Sequence, residues 1–287
     1  MKRSILVLVQ LVIASLLFAC ATTPNSEMDQ YDGVRGGTVY KRYQDASAKA
    51  MAPIVEEYNE RLVKIGKPKI GDSQIHTTLA LLWIVAAQSK LALAETELAL
   101  AQTSDPRERY AAITIQAVAM HEEGWPDLAK QSAIEARKIA EQHRLGEDYA
   151  NAAVLARAAG GALALVEGNV LFVANETREL GVATDQEWMI SLGEATHDAY
   201  TGATESAITK LEELKRDPKL SDGDRKGVDK VIGVVRAGGK NMPSDMASAV
   251  VQVSLLNVVQ RSSLTPQILE QLPKNYRAIA KDAISNS

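Results

Sequence analysis

Hydrophobic positions along this chain recur with the period of an α-helix. Between residues 73 and 102, apolar side chains return every three to seven residues on one helical face, at Ile75, Leu79, Leu82, Ala86, Leu93 and Leu100. Residues 79–87 are apolar on every side, which predicts a helix buried against several neighbours. We find no run of alternating Val, Ile, Thr and Tyr bounded by hairpin turns. The pattern therefore predicts an all-α fold.

Proline, glycine and capping residues divide this pattern into helices. The predicted helices cover approximately 38–65, 72–102, 106–124, 126–144, 147–180, 185–202, 203–216, 221–237, 243–261 and 265 onward, with Pro273 interrupting the last. Asp105 followed by Pro106 is a helix start, and Ser221 with Asp224 forms a capping pair. Because the connections are short, we expect antiparallel helical hairpins.

Two of these hairpins have a specific spacing of small residues. In 106–143, small and apolar residues flank the turn glycine Gly124, namely Ile113, Ala117 and Met120 before it and Ala129, Ala133 and Ala136 after it. This segment resembles a degenerate tetratricopeptide repeat, in which small residues let two helices touch. A similar pair covers 185–218. The resemblance implies a TPR-like right-handed array with a binding groove, and an irregular helical bundle is the alternative.

A glycine pair lies inside the predicted helix over 147–180. Gly160 and Gly161 follow two alanines, and each glycine costs about 1 kcal/mol relative to Ala in a helix. We expect the close approach of a neighbouring helix to compensate for this cost. A groove for a ligand is the alternative.

The N-terminus has the pattern of a bacterial export signal. Lys2 and Arg3 precede an apolar stretch over 5–18, which is shorter than the membrane span of about 20 residues. The stretch ends in Leu17-Phe18-Ala19-Cys20, which resembles the lipobox of bacterial lipoproteins. The resemblance implies that residues 1–19 are a signal peptide and that the thiol of Cys20 receives a lipid. Several acyl chains would make the anchor effectively permanent.

The residues after Cys20 suggest the membrane and the domain organisation. Ala21 stands where an Asp would favour the inner membrane, so the same resemblance implies the outer membrane, with the protein facing the periplasm. Residues 20–37 are mostly polar or glycine and predict a lipidated flexible tether. Residues 38–287 are predicted to form a single all-helical domain without disulfides, since Cys20 is the only cysteine.

Charge and motifs exclude several classes of function. The 287-residue chain has 32 basic and 36 acidic side chains, a net charge of −4, which argues against a nucleic-acid partner. Its histidines, His76, His121, His143 and His197, do not form the two-histidine zinc motif, and His121 and His197 are expected at the surface. No phosphate loop, dinucleotide fingerprint or nucleophile elbow is present. Residues 222–229 fit a helix cap better than a calcium loop.

These observations lead to a non-enzymatic function without catalytic, cofactor-binding or metal residues. Lipidation at Cys20 is the one predicted modification. We expect a membrane-anchored envelope lipoprotein that acts as a protein-interaction scaffold or assembly accessory, with another envelope protein or peptide as its partner. The alternative is a helical small-ligand binding or transport-accessory lipoprotein with a cavity beneath Trp83 or Trp188. A cell-wall hydrolase is a third and weaker alternative.

Overall fold

A computed structural model describes residues 26–66, 69–145, 154–262 and 264–286. Within these ranges the chain forms fourteen α-helices and no β-strand, which confirms the all-α prediction. The helices are α1 (Glu27–Gly36), α2 (Thr38–Lys64), α3 (Asp72–Val85), α4 (Ser89–Gln102), α5 (Pro106–Glu122), α6 (Pro126–Gln142), α7 (Val154–Val166), α8 (Val170–Ala183), α9 (Glu187–Tyr200), α10 (Thr204–Lys215), α11 (Asp222–Ala237), α12 (Met242–Arg261), α13 (Thr265–Gln271) and α14 (Lys274–Asn286).

Consecutive helices pack against each other, and α3 and α12 are central. Helix α12 contacts α3, α7, α8, α9 and α11. Helix α3 is buried along almost its whole length, and Leu82 and Trp83 have at most 1% of their surface exposed. This confirms the prediction of a helix buried on several sides. The main apolar core extends from Tyr31 in α1 to Ala280 in α14.

The prediction of one continuous helix over 72–102 is wrong, because the chain turns between α3 and α4. Ala87 adopts a left-handed conformation with φ of +52°, and the amide of Gln88 donates to the carbonyl of Trp83 at 2.8 Å. The turn contains neither glycine nor proline, so no local signal marked it. Tertiary packing of α3 and α4 against each other compensates for the strained alanine.

The helix predicted over 147–180 is also interrupted, by Gly168 and Asn169 between α7 and α8, while residues 146–153 lie outside the described residues. The glycine pair has the predicted close neighbour. A Cβ atom on Gly160 would lie 3.2 Å from the Oε2 atom of Glu176 in α8. The buried carboxylate of Glu176 pairs with Arg157 at 3.4 Å. The prediction of close helix packing at this site is confirmed.

The predicted flexible tether is wrong for residues 27–36, which form α1. Ser26 and Asp29 form a capping box that the sequence prediction missed. Helix α1 docks on the start of α6, where the carboxylate of Glu27 accepts hydrogen bonds from the amides of Asp127 and Leu128, both at 3.0 Å. Because Glu27 of α1 caps the N-terminus of α6, α1 is part of the folded domain.

Most predicted helix boundaries are confirmed. Asp105 caps α5, and Ser221 with Asp224 forms the capping box of α11. Pro273 separates α13 from α14. The helix pairs α5–α6 and α9–α10 are present where hairpins were predicted, and their membership of a repeat array stays a prediction.

Candidate binding cleft

A cleft of about 470 Å³ lies between four segments that are far apart in the sequence. The segments are the last part of α2, the first part of α3, the α8–α9 turn and the end of α12. Its lining residues are Tyr58, Ile70, Gln74, Thr78, Leu81, Thr184, Gln186, Asn257, Val258, Val259, Arg261, Ser262 and Leu264. The volume lies within the range of about 300–1,000 Å³ that is usual for small-molecule sites.

A tight connection between α8 and α9 places Gln186 in this cleft. The amide of Gln186 donates to the carbonyl of Gly181 at 2.8 Å, and Asp185 adopts a positive φ of +53°. A Cβ atom at Gly181 would lie 2.8 Å from the backbone nitrogen of Ile190, so only glycine allows the two helices to approach so closely.

Gln186 contributes a buried donor that has no partner in the described part of the chain. Its Oε1 atom accepts a hydrogen bond from the indole of Trp188 at 2.9 Å. Because an indole N–H can only donate, the oxygen of the amide must face Trp188. Gln186 is only 5% exposed. Its Nε2 atom is buried and has no acceptor among the described residues. An unpaired buried N–H group is expensive, which marks this position as a site of interest.

Asn257 is oriented in a similar way by the start of α11. Its Nδ2 atom donates to the carboxylate of Asp224 at 3.1 Å, and Asp224 is held in turn by Ser221. This contact fixes the orientation of the Asn257 amide and leaves its Oδ1 atom without a donor among the described residues. A buried amide from α12 thus contributes an acceptor to the cleft lining.

The remaining walls are mainly apolar. Leu81, Val258 and Leu264 are buried residues that also line the cleft. The hydroxyl groups of Thr78 and Thr184 donate to carbonyls of their own helices, at 2.8 and 2.7 Å, so their hydrogens are already used. Arg261 is exposed and also lines the cleft.

This arrangement is suited to binding. The polar groups among the described lining residues are amides, hydroxyls, a phenol and a guanidinium, which orient a ligand through hydrogen bonds.

The tryptophans singled out from the sequence have different roles. Trp188 lies behind Gln186 and orients its amide, although it does not itself line the cleft. Trp83 is packed edge-on against Tyr43 and Tyr276 in an aromatic cluster. Cys20 and the predicted signal peptide lie outside the described residues.

A buried polar cluster around Glu95 was not anticipated from the sequence. This carboxylate is completely buried and accepts hydrogen bonds from the hydroxyls of Tyr43 and Ser47, each at 2.5 Å, while the Nδ1 atom of His76 lies 2.6 Å away. Burial and the neighbouring Glu95 raise the pKa of Tyr43 well above its usual value. The cluster ties α2 to α3 and α4.

The two histidines that were expected at the surface lie there. His121 occupies the exposed last turn of α5, and the side chain of His197 is 60% exposed beside Asp198. Within the described ranges, no group of three or more His, Cys, Asp or Glu side chains could hold a metal ion. None of the helices described is both long and apolar enough to cross a membrane.

Comparisons with known proteins gave no relatives. A scan against protein-family models found no match, and neither curated protein sequences nor solved structures gave a significant match to this chain.

Proposed function

We propose that this protein is a non-enzymatic lipoprotein of the cell envelope, anchored by lipid at Cys20 and held at the outer membrane facing the periplasm. The support comes from the N-terminal sequence, in which a basic start and a short apolar stretch precede Leu17-Phe18-Ala19-Cys20. The acidic mature chain has no general attraction to anionic lipid, so the lipid itself would hold it at the membrane.

The anchor is tested by the variant Cys20→Ala and by metabolic labelling with an alkyne fatty acid. We expect the variant to leave the membrane fraction or to remain an unprocessed precursor, because the chain has no other cysteine to accept the lipid. A mature wild-type chain without lipid would contradict the proposal.

Within this setting we propose that the helical domain binds a ligand in the cleft, which favours the ligand-binding alternative over the scaffold. The observation that supports it most is a cleft of about 470 Å³ whose lining combines apolar side chains with the buried amide residues Gln186 and Asn257. A mainly apolar wall with a few polar groups is usual for sites that bind small molecules.

A neutral fluorescent probe, N-phenylnaphthylamine, tests binding in the cleft of the full chain in nanodiscs. We expect saturable fluorescence above that of empty nanodiscs. Ile70→Trp should abolish the saturable part, because Ile70 lines the cleft and a larger side chain would fill it. Val63→Trp is the matched control, since Val63 is 55% exposed and lies outside the cleft. Equal binding by both variants would contradict the proposal.

The protein-interaction scaffold remains a second candidate because of a separate groove beside the TPR-like hairpin. This groove of about 500 Å³ lies between α1, α4, α5 and α6. Tyr31 and Gln116 form part of its lining, and the hydroxyl of Tyr31 donates to Glu97 at 2.7 Å. Such a polar and aromatic groove suits a peptide from another envelope protein.

A photo-crosslinking residue at Gln131, which is exposed in this groove, tests the scaffold role in intact envelopes. We expect a discrete cross-linked partner from this position. The exposed position Lys240, which lies outside the groove, serves as the control. Identical products from both positions would contradict a role for the groove.

A further inference from the structure

Only a short stretch of chain separates the folded domain from the proposed lipidation site. Ser26, which caps α1, follows Cys20 by six residues. An extended chain spans at most about 3.6 Å per residue, so the Cα atoms of Cys20 and Ser26 are at most about 22 Å apart, whatever the conformation of residues 21–25. The position of α1 in the fold therefore decides which face of the domain the lipid holds nearest to the membrane.

Helix α1 is fixed to the rest of the domain along its length. The ring of Tyr31 is buried and lies 5.7 Å from the ring of Trp125, and the indole of Trp125 donates to Oε1 of Gln30 at 3.0 Å. At the end of α1, Arg35 pairs with Glu97 of α4 at 2.6 Å. Because these contacts hold α1 in place, its residues do not add to the distance between the lipid and the domain.

The start of α1 lies beside the turn that joins α5 to α6. The carboxylate of Glu27 accepts hydrogen bonds from the amides of Asp127 and Leu128, both at 3.0 Å. The first turn of α6 is therefore separated from the start of α1 by one glutamate side chain and one hydrogen bond. The distance limit from Cys20 applies to this face of the domain in every orientation that the domain can take.

Helix α10 is under no such limit. Helix α1 packs on α2 and α6, whereas α10 packs on α9 and α11. A series of packed helices leads from α1 through α6, α7, α8 and α9 to α10. Since neighbouring helices pack about 8–10 Å apart, α10 is free to lie much farther from the lipid than α1.

The charges at the start of α1 and α6 give this face little attraction for anionic lipid. Asp29, Asp32 and Asp127 are exposed there, with Lys130 as an exposed basic residue one turn into α6. Carboxylates are repelled by the negative surface potential of anionic headgroups. The length of the connection, and not affinity for headgroups, would therefore hold the face near the membrane.

We propose that the face formed by the start of α1 and the α5–α6 turn lies against the lipid surface, at a distance set by the six-residue connection to Cys20. This inference depends on the proposed lipidation of Cys20 and adds the orientation of the domain on the membrane.

Energy transfer to a fluorescent lipid headgroup tests this orientation in the full lipidated chain, reconstituted in nanodiscs. The thiol of Cys20 carries the lipid, so an introduced cysteine is the one free thiol available for a donor dye. Gln131→Cys places the dye at an exposed position near the start of α6, and Glu213→Cys places it at an exposed position of α10. We expect more efficient transfer from position 131 than from position 213. The difference should persist at high salt, which screens attraction between charges.

A linker variant separates the length of the connection from affinity for lipid. Inserting about 30 Gly and Ser residues between positions 25 and 26 adds a root-mean-square reach of about 30 Å. The domain should then turn freely, and the difference in transfer between positions 131 and 213 should be lost. The same linker added after Ser287 is the matched control and should preserve the difference.

The outcomes distinguish this proposal from the lipid anchor on which it depends. Equal transfer from both positions, or greater transfer from position 213, in protein labelled by the alkyne fatty acid would overturn the orientation and leave the anchor intact. A difference that survives the N-terminal linker, or that disappears at high salt, would show that the face binds headgroups by itself and would overturn the role of the connection. Mature protein without the fatty-acid label would overturn the anchor itself.

Discussion

The glycines of this protein differ in whether the surrounding structure leaves room for a side chain. In α11, a Cβ atom at Gly227 would lie 2.7 Å from the Cγ2 atom of Val253, whereas nothing lies within 4 Å of a Cβ atom at Gly233. The first glycine permits the close packing of α11 on α12. The second weakens the helix without a compensating contact.

These two positions give a matched pair of substitutions. Gly233→Ala should raise the free energy of unfolding by about 0.5–1 kcal/mol, because alanine loses less backbone entropy in a helix. Gly227→Ala should lower it, because the new methyl group would overlap Val253. Urea titration measures both, and equal effects of the two changes would contradict this interpretation of the packing.

The buried carboxylate of Glu176 predicts a pH dependence of stability. Burial raises its pKa above the ordinary value of 4.5, although Arg157 acts in the opposite direction. The unfolded chain loses this proton at a lower pH than the folded chain does. The folded state therefore binds more protons between the two pKa values, and its stability falls as the pH rises through that interval.

The variant Glu176→Gln isolates this contribution. We expect the stability of the wild-type protein relative to the variant to decrease as the pH rises above about 4.5, because the folded protein holds the Glu176 proton to a higher pH than the unfolded chain does. Urea titrations at several pH values measure the difference. A difference that increases with pH would show that Arg157 dominates and that the pKa is lowered.

At the scale of the elements, the α5–α6 pair shows how small residues set the distance between helices. Ala117 and Ala129 are both completely buried, in agreement with a close contact between the two helices. Ala119 is completely buried as well, so a larger side chain should not be tolerated at that position either. Helix α5 contacts α3, α4 and α7 in addition to α6, so most of its faces are covered.

Enlarging the small residues should therefore destabilise the pair. Ala117→Leu and Ala129→Leu should each cost about 1–3 kcal/mol by overpacking, and each kcal/mol lowers the melting temperature by roughly 2–4 °C. Ala46→Leu, at an exposed position of α2, is the control and should have little effect. Thermal unfolding that is unchanged in all three variants would argue against a tight seam between α5 and α6.

At the scale of the whole molecule, one apolar core connects helices from both ends of the described chain. Leu82 is 1% exposed in α3, near the middle of this core, while Val63 at the end of α2 is 55% exposed. Truncation of Leu82 should therefore destabilise the folded protein, whereas truncation of Val63 should have little effect on its stability.

We expect Leu82→Ala to lower the free energy of unfolding by about 2–5 kcal/mol, since it removes buried methyl groups and leaves a cavity. Val63→Ala should change it by less than about 0.5 kcal/mol. Urea titration measures both values. A loss below about 0.5 kcal/mol for Leu82→Ala would show that α3 is not central to the core.

The sequence by itself determined the helical class and most of the helix ends. These features depend on neighbouring residues, such as the Asp105-Pro106 start, the Ser221–Asp224 box and the break at Pro273. Short-range capping and backbone restrictions act within a single turn, so a local pattern contains them. The lipid anchor is likewise a sequence-level prediction, because it depends on the residues around Cys20 alone.

Only the tertiary structure decided where the chain turns without a local signal and which polar groups meet. The turn at Ala87 and the docking of α1 on α6 depend on contacts with other helices. The buried Glu95 looks in the sequence like any exposed helix residue. The cleft combines side chains from four segments that are distant in the sequence. Gln186 is recognised as a candidate binding residue only in the folded chain, where it lines this cleft and its amide oxygen accepts a hydrogen bond from Trp188. Such juxtapositions result from packing, which periodicity along the chain does not encode.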